Sequence, residues 1–375
     1  MAYGCADFGI VLGVLFLMLA GGITWLSLRV LARMAIDFQG SDPTFYSVSE
    51  AILPKAKWVI DVGIVLNCFG GCIAFVQIIG RLMSQGLMDM INWNEDDIST
   101  SSVSLIIQAS VLVALAPLCV TRQITSTKIA NLVGLFCIGY IFLITFVYSP
   151  CTAISTELLE PASIITLFAA FPTFIFAYAC QQNIFSIATE MKDVSMKKLT
   201  MISSASVLTG FIVYLPLMLL PYMTFGANIK SSFLYNLDST KVPVMIAFVL
   251  ASISVSISYV LLLQPIRGSL MSLIFGKNQP TGKREETIRI SGTIALMLLS
   301  WGLAIVLGEN LGLPINLAGL FGGNTMCFVM PFALYLKKYG FDRKNAFSVI
   351  VLVTFIFCIL LYPICFTGII YKQVA

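Results

Sequence analysis

Ten apolar runs recur along this chain, at 8–30, 58–84, 103–120, 129–148, 162–189, 201–223, 242–264, 289–308, 313–335 and 346–370. A helix of roughly 20 apolar residues matches the hydrocarbon layer of a bilayer. Within that layer only helices and closed barrels satisfy their backbone amides. The runs therefore predict an all-α polytopic membrane protein with about ten transmembrane helices. Composition agrees: of 375 residues, 58% are hydrophobic and 11% charged, and mean hydropathy is +0.95. In water such a chain would expose apolar patches large enough to aggregate. The connections are short, so residues 1–375 read as a single transmembrane domain with no separate soluble unit.

Charge supplies the orientation. If the runs alternate in direction, eighteen Lys and Arg fall on one side and four, Arg81, Lys230, Lys241 and Lys372, on the other. Basic residues concentrate in cytoplasmic loops, so the rich side is predicted to be cytoplasmic and both termini of the sequence non-cytoplasmic. The net charge of +4 is spread over short loops, which argues for a lipid bilayer as partner and against nucleic acid. Of the ten cysteines, most lie inside apolar runs, where they behave as small apolar side chains. Cys151 lies in a loop without an obvious partner, so no disulfide framework is expected. Cys68 and Cys72 share a helical face, but without a His in the chain a metal site is not expected. Neither a His nor paired membrane carboxylates offer acid–base chemistry, which argues against an enzyme.

One run is interrupted. In PASIITLFAAFPTFIFAYACQQNIFSIATEMKDVSMKK (161–198), Ala177, Ala179, Cys180, Gln181, Gln182 and Asn183 break an apolar stretch that resumes at Ile184. Polar amides at mid-membrane depth face a cavity or another helix. Two half-helices meeting near Tyr178 to Gln181 are expected, and discontinuous helices of this kind hold the substrate in many transporters. One continuous helix with a polar packing face is the alternative. Gly70-Gly71 and Gly322-Gly323 permit close approach between helices.

Four motifs, in order, carry a resemblance. FAYACQQNIFSIATEM (176–191), LPYMTFG (220–226), LQPIRGSL (263–270) and CFVMPFALYLKK (327–338) resemble sixth-helix, following-loop, eighth-helix and tenth-helix signatures of the amino acid/auxin permeases, which include sodium-coupled neutral amino acid transporters. MAYGCADFGIVLG (1–13) is similar to the end of the first family helix running into the second. The resemblance covers essentially the whole chain. It implies the amino acid–polyamine–organocation fold of two inverted five-helix repeats plus a last helix. On that reading 1–148 is the remainder of the first repeat, 149–335 the second, and 336–375 the last helix. The family's glycine-serine-glycine stretch of the first discontinuous helix has no counterpart here. The expectation is thus an incomplete chain, or a natural variant lacking most of that helix, in either case a poor transporter by itself. Gln181 stands where many relatives carry a His, so a histidine relay is not available.

The resemblance implies secondary active transport of amino acids, neutral ones foremost, by alternating access at the plasma membrane or a vacuolar or lysosomal membrane. A transport-deficient amino acid sensor or regulatory protein on the same scaffold is the alternative. The carbonyls of Phe176, Ala177 and Tyr178 would face the substrate ammonium, because unpaired carbonyls at a helix C-terminal end attract a cation. Ala179, Cys180 and Gln181 complete the break, and Asn67, Phe75 and Asn324 are candidates to line the cavity. Ser256 and Ser258 match hydroxyl positions associated with sodium in coupled members; the alternative is that they bond back to carbonyls four residues earlier. Asp61 reads either as part of an ion pair near Lys55 and Lys57 or as a proton carrier. No bound cofactor is expected beyond sodium or a proton as coupling ion, and the sequence identifies no protein partner.

Overall fold

The computed structural model describes residues 2–39, 44–90, 100–121, 127–149, 164–276, 280–308 and 310–374, and every regular element among them is helical. Cys151, and the loop carboxylates between 91 and 99 and between 150 and 163, lie outside the described residues. Among the described residues, eight helices are long and apolar enough to cross a membrane, beginning at Phe8, Trp58, Ser102, Met196, Val242, Lys283, Gly312 and Ala346. The shorter apolar stretches Leu132–Tyr148 and Leu167–Ala177 fall in the fourth and fifth expected spans. The all-α membrane architecture expected from the hydropathy pattern is the one observed.

The first helix, α1 (Ala2–Asp37), is interrupted at Gly9, whose φ of 71° and ψ of 170° are open to glycine alone. Residues 2–8 are therefore a separate helical turn from the long span that follows. A short helix, α2 (Phe45–Ile52), opens with a capping box in which Thr44 Oγ1 accepts from Ser47 N–H at 3.0 Å and Ser47 Oγ accepts from Thr44 N–H at 2.9 Å. It leads into α3 (Lys57–Met90), followed by α4 (Thr100–Val120) and α5 (Thr127–Tyr148). Three short pieces, α6 (Ile164–Ala169), α7 (Phe171–Ala177) and α8 (Asn183–Glu190), make up the interrupted span. The remaining spans are α9 (Met196–Phe225), α10 (Val242–Phe275) and α11 (Lys283–Leu307). Next come α12 (Gly312–Leu317), a π-helical stretch (Ala318–Val329) and α13 (Met330–Tyr339), which run on as one span, and α14 (Ala346–Val374).

Packing gathers the described helices into three apolar clusters, to all of which α3 contributes, the third joining α3 with α5 and α10 around Phe248. One apolar cluster joins α1 with the interrupted span, α9, the π-helical stretch, α13 and α14. A second joins α3, α4, α10 and α11 around Tyr259, whose hydroxyl is 2.9 Å from Ser300 Oγ. Helix ends buried in lipid need partners for their last carbonyls, and arginines supply two of them. Arg267, from the LQPIRGSL motif, donates from Nη1 to Cys119 O at 2.7 Å, and Arg289 Nη1 donates to Val120 O, so α10 and α11 cap the end of α4. Gln77 Nε2 on α3 donates to Gly308 O at 2.9 Å and does the same for α11.

The glycine pairs are close-approach points, as their sequence suggests. A Cβ on Gly70 would lie 2.5 Å from Ala318 Cβ, and one on Gly322 would lie 2.3 Å from Asn67 N. Gly319, not singled out from sequence, is tighter still: its Cβ would meet Pro172 O at 2.1 Å. The π-helical stretch is thus pressed against α3 on one side and α7 on another. Widened turns of this kind concentrate at functional sites.

Candidate functional site

The break lies where the polar interruption predicted it. Helix α7 ends at Ala177 and α8 begins at Asn183, leaving Tyr178 to Gln182 outside regular helix. A second interruption, at Ala170, was not expected; Pro172 in the first turn of α7 has no N–H to donate back, and Thr173 N–H closes the turn on Ala170 O at 3.1 Å. Within the break the backbone folds on itself. Ala179 N–H donates to Phe176 O at 3.2 Å, Cys180 N–H to Tyr178 O at 2.9 Å, and Asn183 N–H to Cys180 O at 3.0 Å.

Of the three carbonyls expected to meet an ammonium, Phe176 O and Tyr178 O therefore each accept one backbone N–H. Ala177 O accepts the hydroxyl of Tyr214 at 3.0 Å. A carbonyl keeps a second lone pair after one such bond, so all three remain competent acceptors. Tyr178 itself is wedged between helices: Cβ atoms on Gly21 of α1 and Gly210 of α9 would come within 3.4 Å and 3.3 Å of its ring. It meets Tyr214 edge-on at 5.4 Å and 80°.

Burial here is complete enough to matter. Gln181 is 0% exposed and Tyr178 5%, so the two residues expected to face a cavity are sealed in this conformation. Gln181 Oε1 accepts Cys180 N–H at 2.8 Å, but among the described residues Gln181 Nε2 and Tyr178 Oη have no hydrogen-bond partner, and neither has Gln182 Oε1. An unsatisfied buried polar group costs about 1–3 kcal/mol. Three within five residues form a polar concentration that a ligand carrying both donors and acceptors would satisfy.

The other candidates divide. Asn324 is fully buried, but its Nδ2 donates to Cys358 O of α14 at 2.8 Å, so one arm ties two helices together while Oδ1 stays unpartnered. Asn67 presses its backbone on Gly322 and carries an unpartnered Oδ1, from which a Cβ on Gly323 would lie 3.2 Å. Phe75 packs in the α3, α4, α10, α11 cluster rather than with Tyr178. Ser258 Oγ donates to Ser254 O at 2.9 Å, four residues back, whereas Ser256 lines an apolar groove with Met83, Val111 and Leu115. The two serines, about 200° apart on α10, do not converge on one point. Asp61 is buried and accepts Ser272 Oγ at 2.8 Å from α10. Tyr214, Gly21 and Gly210 were not foreseen as part of the site, and Gln182 was read only as part of the polar interruption. Only Gln182, inside the polar interruption, carried a sequence signal of its own.

On the side poor in Lys and Arg, a cavity of about 590 Å³ reaches the interrupted span at Ala169, Ala170 and Thr173; Arg81, Lys230 and Lys372 also line it. Thr173 Oγ1 donates to Asn316 Oδ1 at 2.6 Å at its floor.

Comparison with known proteins adds to this geometry. The family model described as transmembrane amino acid transporter protein matches residues 1–374. The chain is 22% identical to vacuolar amino acid transporter 5 of Schizosaccharomyces pombe over 90% of its own length and 79% of that protein. It is 27% identical to vacuolar amino acid transporter 6 of Saccharomyces cerevisiae, over 79% of this chain and 65% of that one. Against sodium-coupled neutral amino acid transporter 7 of Danio rerio the identity is 27%, over 84% of this chain and 72% of the other.

Proposed function

Because the chain belongs to the transmembrane amino acid transporter family along residues 1–374, we propose that it is a secondary active transporter that carries neutral amino acids by alternating access about the break at Tyr178 to Gln182. The observation that carries this reading is the set of buried polar groups there. The unpartnered Gln181 Nε2 is a donor for a substrate carboxylate, and the second lone pairs of Phe176 O, Ala177 O and Tyr178 O are acceptors for its ammonium. A zwitterion bound this way meets no fixed charge, which lets it leave again. The cost of leaving these buried polar groups unpaired favours a ligand that can complete their bonds.

Coupling to sodium or to protons fits the same reading. The name of the Danio rerio relative supports sodium, though Ser256 and Ser258, facing apart on α10, do not together form its site. The names of the yeast relatives support a vacuolar or lysosomal address ahead of the plasma membrane.

The test is uptake of radiolabelled neutral amino acids by proteoliposomes, driven in turn by a sodium gradient and a proton gradient. Slow but saturable uptake that depends on one gradient is expected, falling about tenfold or more in Gln181→Leu, which removes the donor at similar volume. Saturable binding with no flux under either gradient would overturn transport in favour of a sensor.

A further inference from the structure

At the end of the molecule rich in Lys and Arg, a cavity of about 310 Å³ opens between α1, the start of α9 and the start of α14, lined by Arg29, Arg33, Met196, Asn345 and Phe347. Arg29 and Arg33 are one helical turn apart and share a face. The Arg29 guanidinium lies 5.4 Å from the Trp25 ring and 5.2 Å from the Phe347 ring, and that of Arg33 lies 4.3 Å from the Tyr339 ring. Stacking of this kind holds the planar fork by its faces and leaves its edge N–H groups free to donate. Neither arginine is paired with a carboxylate among the described residues. Asp37 acts on Arg33 electrostatically, but it already accepts Lys338 Nζ at 2.6 Å and Tyr339 Oη at 2.5 Å. Arg29 is therefore a half-buried cation whose neighbours are rings. Asn345, whose Oδ1 caps Phe347 N–H at 3.0 Å, adds amide donors at the rim.

Beneath the arginines runs an apolar lane. Val11, Leu15 and Met18 are about half exposed, at 52%, 48% and 47%, and with Gly22, Trp25 and Arg29 they repeat at steps of four and three residues on one face of α1. Met18 lies 11 residues before Arg29, about 16 Å along the helix axis, close to half the ~30 Å thickness of a bilayer core. Trp25 sits one turn below Arg29, where a membrane-interface indole belongs, and its Nε1 donates to Ser204 Oγ on α9 at 2.8 Å.

We propose that this crevice binds an anionic phospholipid, its phosphate held by Arg29 and Arg33 and one acyl chain laid along Trp25, Gly22 and Met18. The stretch from Arg29 down to Met18 matches one leaflet in length, which a soluble phosphate would not need. A phosphomonoester matches the guanidinium fork with paired acceptors, whereas a choline headgroup brings a cation against two others.

The full chain, purified and placed in phosphatidylcholine nanodiscs with or without phosphatidic acid, is examined for retained lipid by native mass spectrometry. Phosphatidic acid should be retained in preference to phosphatidylcholine. Retention should fall about tenfold or more in Arg29→Gln and recover in part in Arg29→Lys, which restores charge without the fork. Arg33→Gln, at an exposed position, should lower retention several-fold and decides the matter if Arg29→Gln does not fold. Equal retention of both lipids, or retention unmoved by Arg33→Gln, would overturn the site. Displacement of the lipid by glycerol 3-phosphate at comparable concentration would overturn a lipid occupant in favour of soluble phosphate.

Discussion

Tyr178 shows what single residues contribute that their letters do not announce. Its hydroxyl is buried without a partner while its ring is held by Gly21, Gly210 and Tyr214. Tyr178→Phe keeps the ring and removes a polar atom that makes no bond, so thermal unfolding in detergent is expected to be unchanged or raised, by up to about 1–3 kcal/mol. If the hydroxyl meets substrate, uptake falls in the same variant; a variant both less stable and fully active would reverse both assignments. The interruption AYACQQN told where chain geometry would change, because polar amides in an apolar run have few explanations. The sequence could not show that Tyr214 reaches back to Ala177 O or that two glycines flank Tyr178. Those contacts join residues far apart in the chain, and no local pattern encodes them. Asn324, read as a cavity candidate, illustrates the same limit, since the helix it bonds to was not knowable from its own span.

Among elements, the spans themselves were open to reading because hydropathy and length suffice to define them in a bilayer. Less accessible were the interruption at Ala170 and the π-helical widening from Ala318 to Val329, both set by what α7 and α3 press against. The Gly322-Gly323 pair gave a hint, and the structure accounts for it through the Asn67 backbone. Gly322→Ala is expected to destabilise the protein by about 3 kcal/mol or more, because backbone rather than a flexible side-chain end must yield. Gly302→Ala is the matched control: nothing lies within 4 Å of a Cβ there, and a helical Gly replaced by Ala should be neutral or stabilising by up to about 1 kcal/mol. Thermal unfolding of the two variants side by side checks both signs. Equal melting temperatures would mean that α3 and the π-helical stretch part more easily than their contact suggests.

At the scale of the whole molecule, the asymmetry of basic residues reads as orientation and coincides with an asymmetry of structure. On the poor side a cavity of about 590 Å³ reaches Thr173 of the interrupted span. On the rich side Asp37, at the end of α1, accepts from Lys338 and Tyr339 at the end of α13 and ties the two helices together. The alternating access proposed above would need closure on one side while the other is open, and this arrangement has the form of a latch on the basic side. The pair is partly exposed, with side-chain exposures of 23% for Lys338 and 36% for Asp37, so its strength is modest, on the order of 1 kcal/mol. That much free energy shifts a two-state balance about fivefold. Asp37→Asn, which removes the charge at constant shape, should therefore move the population away from the form open on the poor side. Thr173→Cys reports this directly. A membrane-impermeant thiol reagent added on that side should label it in the otherwise unaltered chain, and the labelling rate should fall a few-fold when Asp37→Asn is added. Unchanged labelling alongside unchanged uptake would make the Asp37 contact a static strut, and closure on the basic side would then rest on the apolar packing of α1 against α13 and the π-helical stretch.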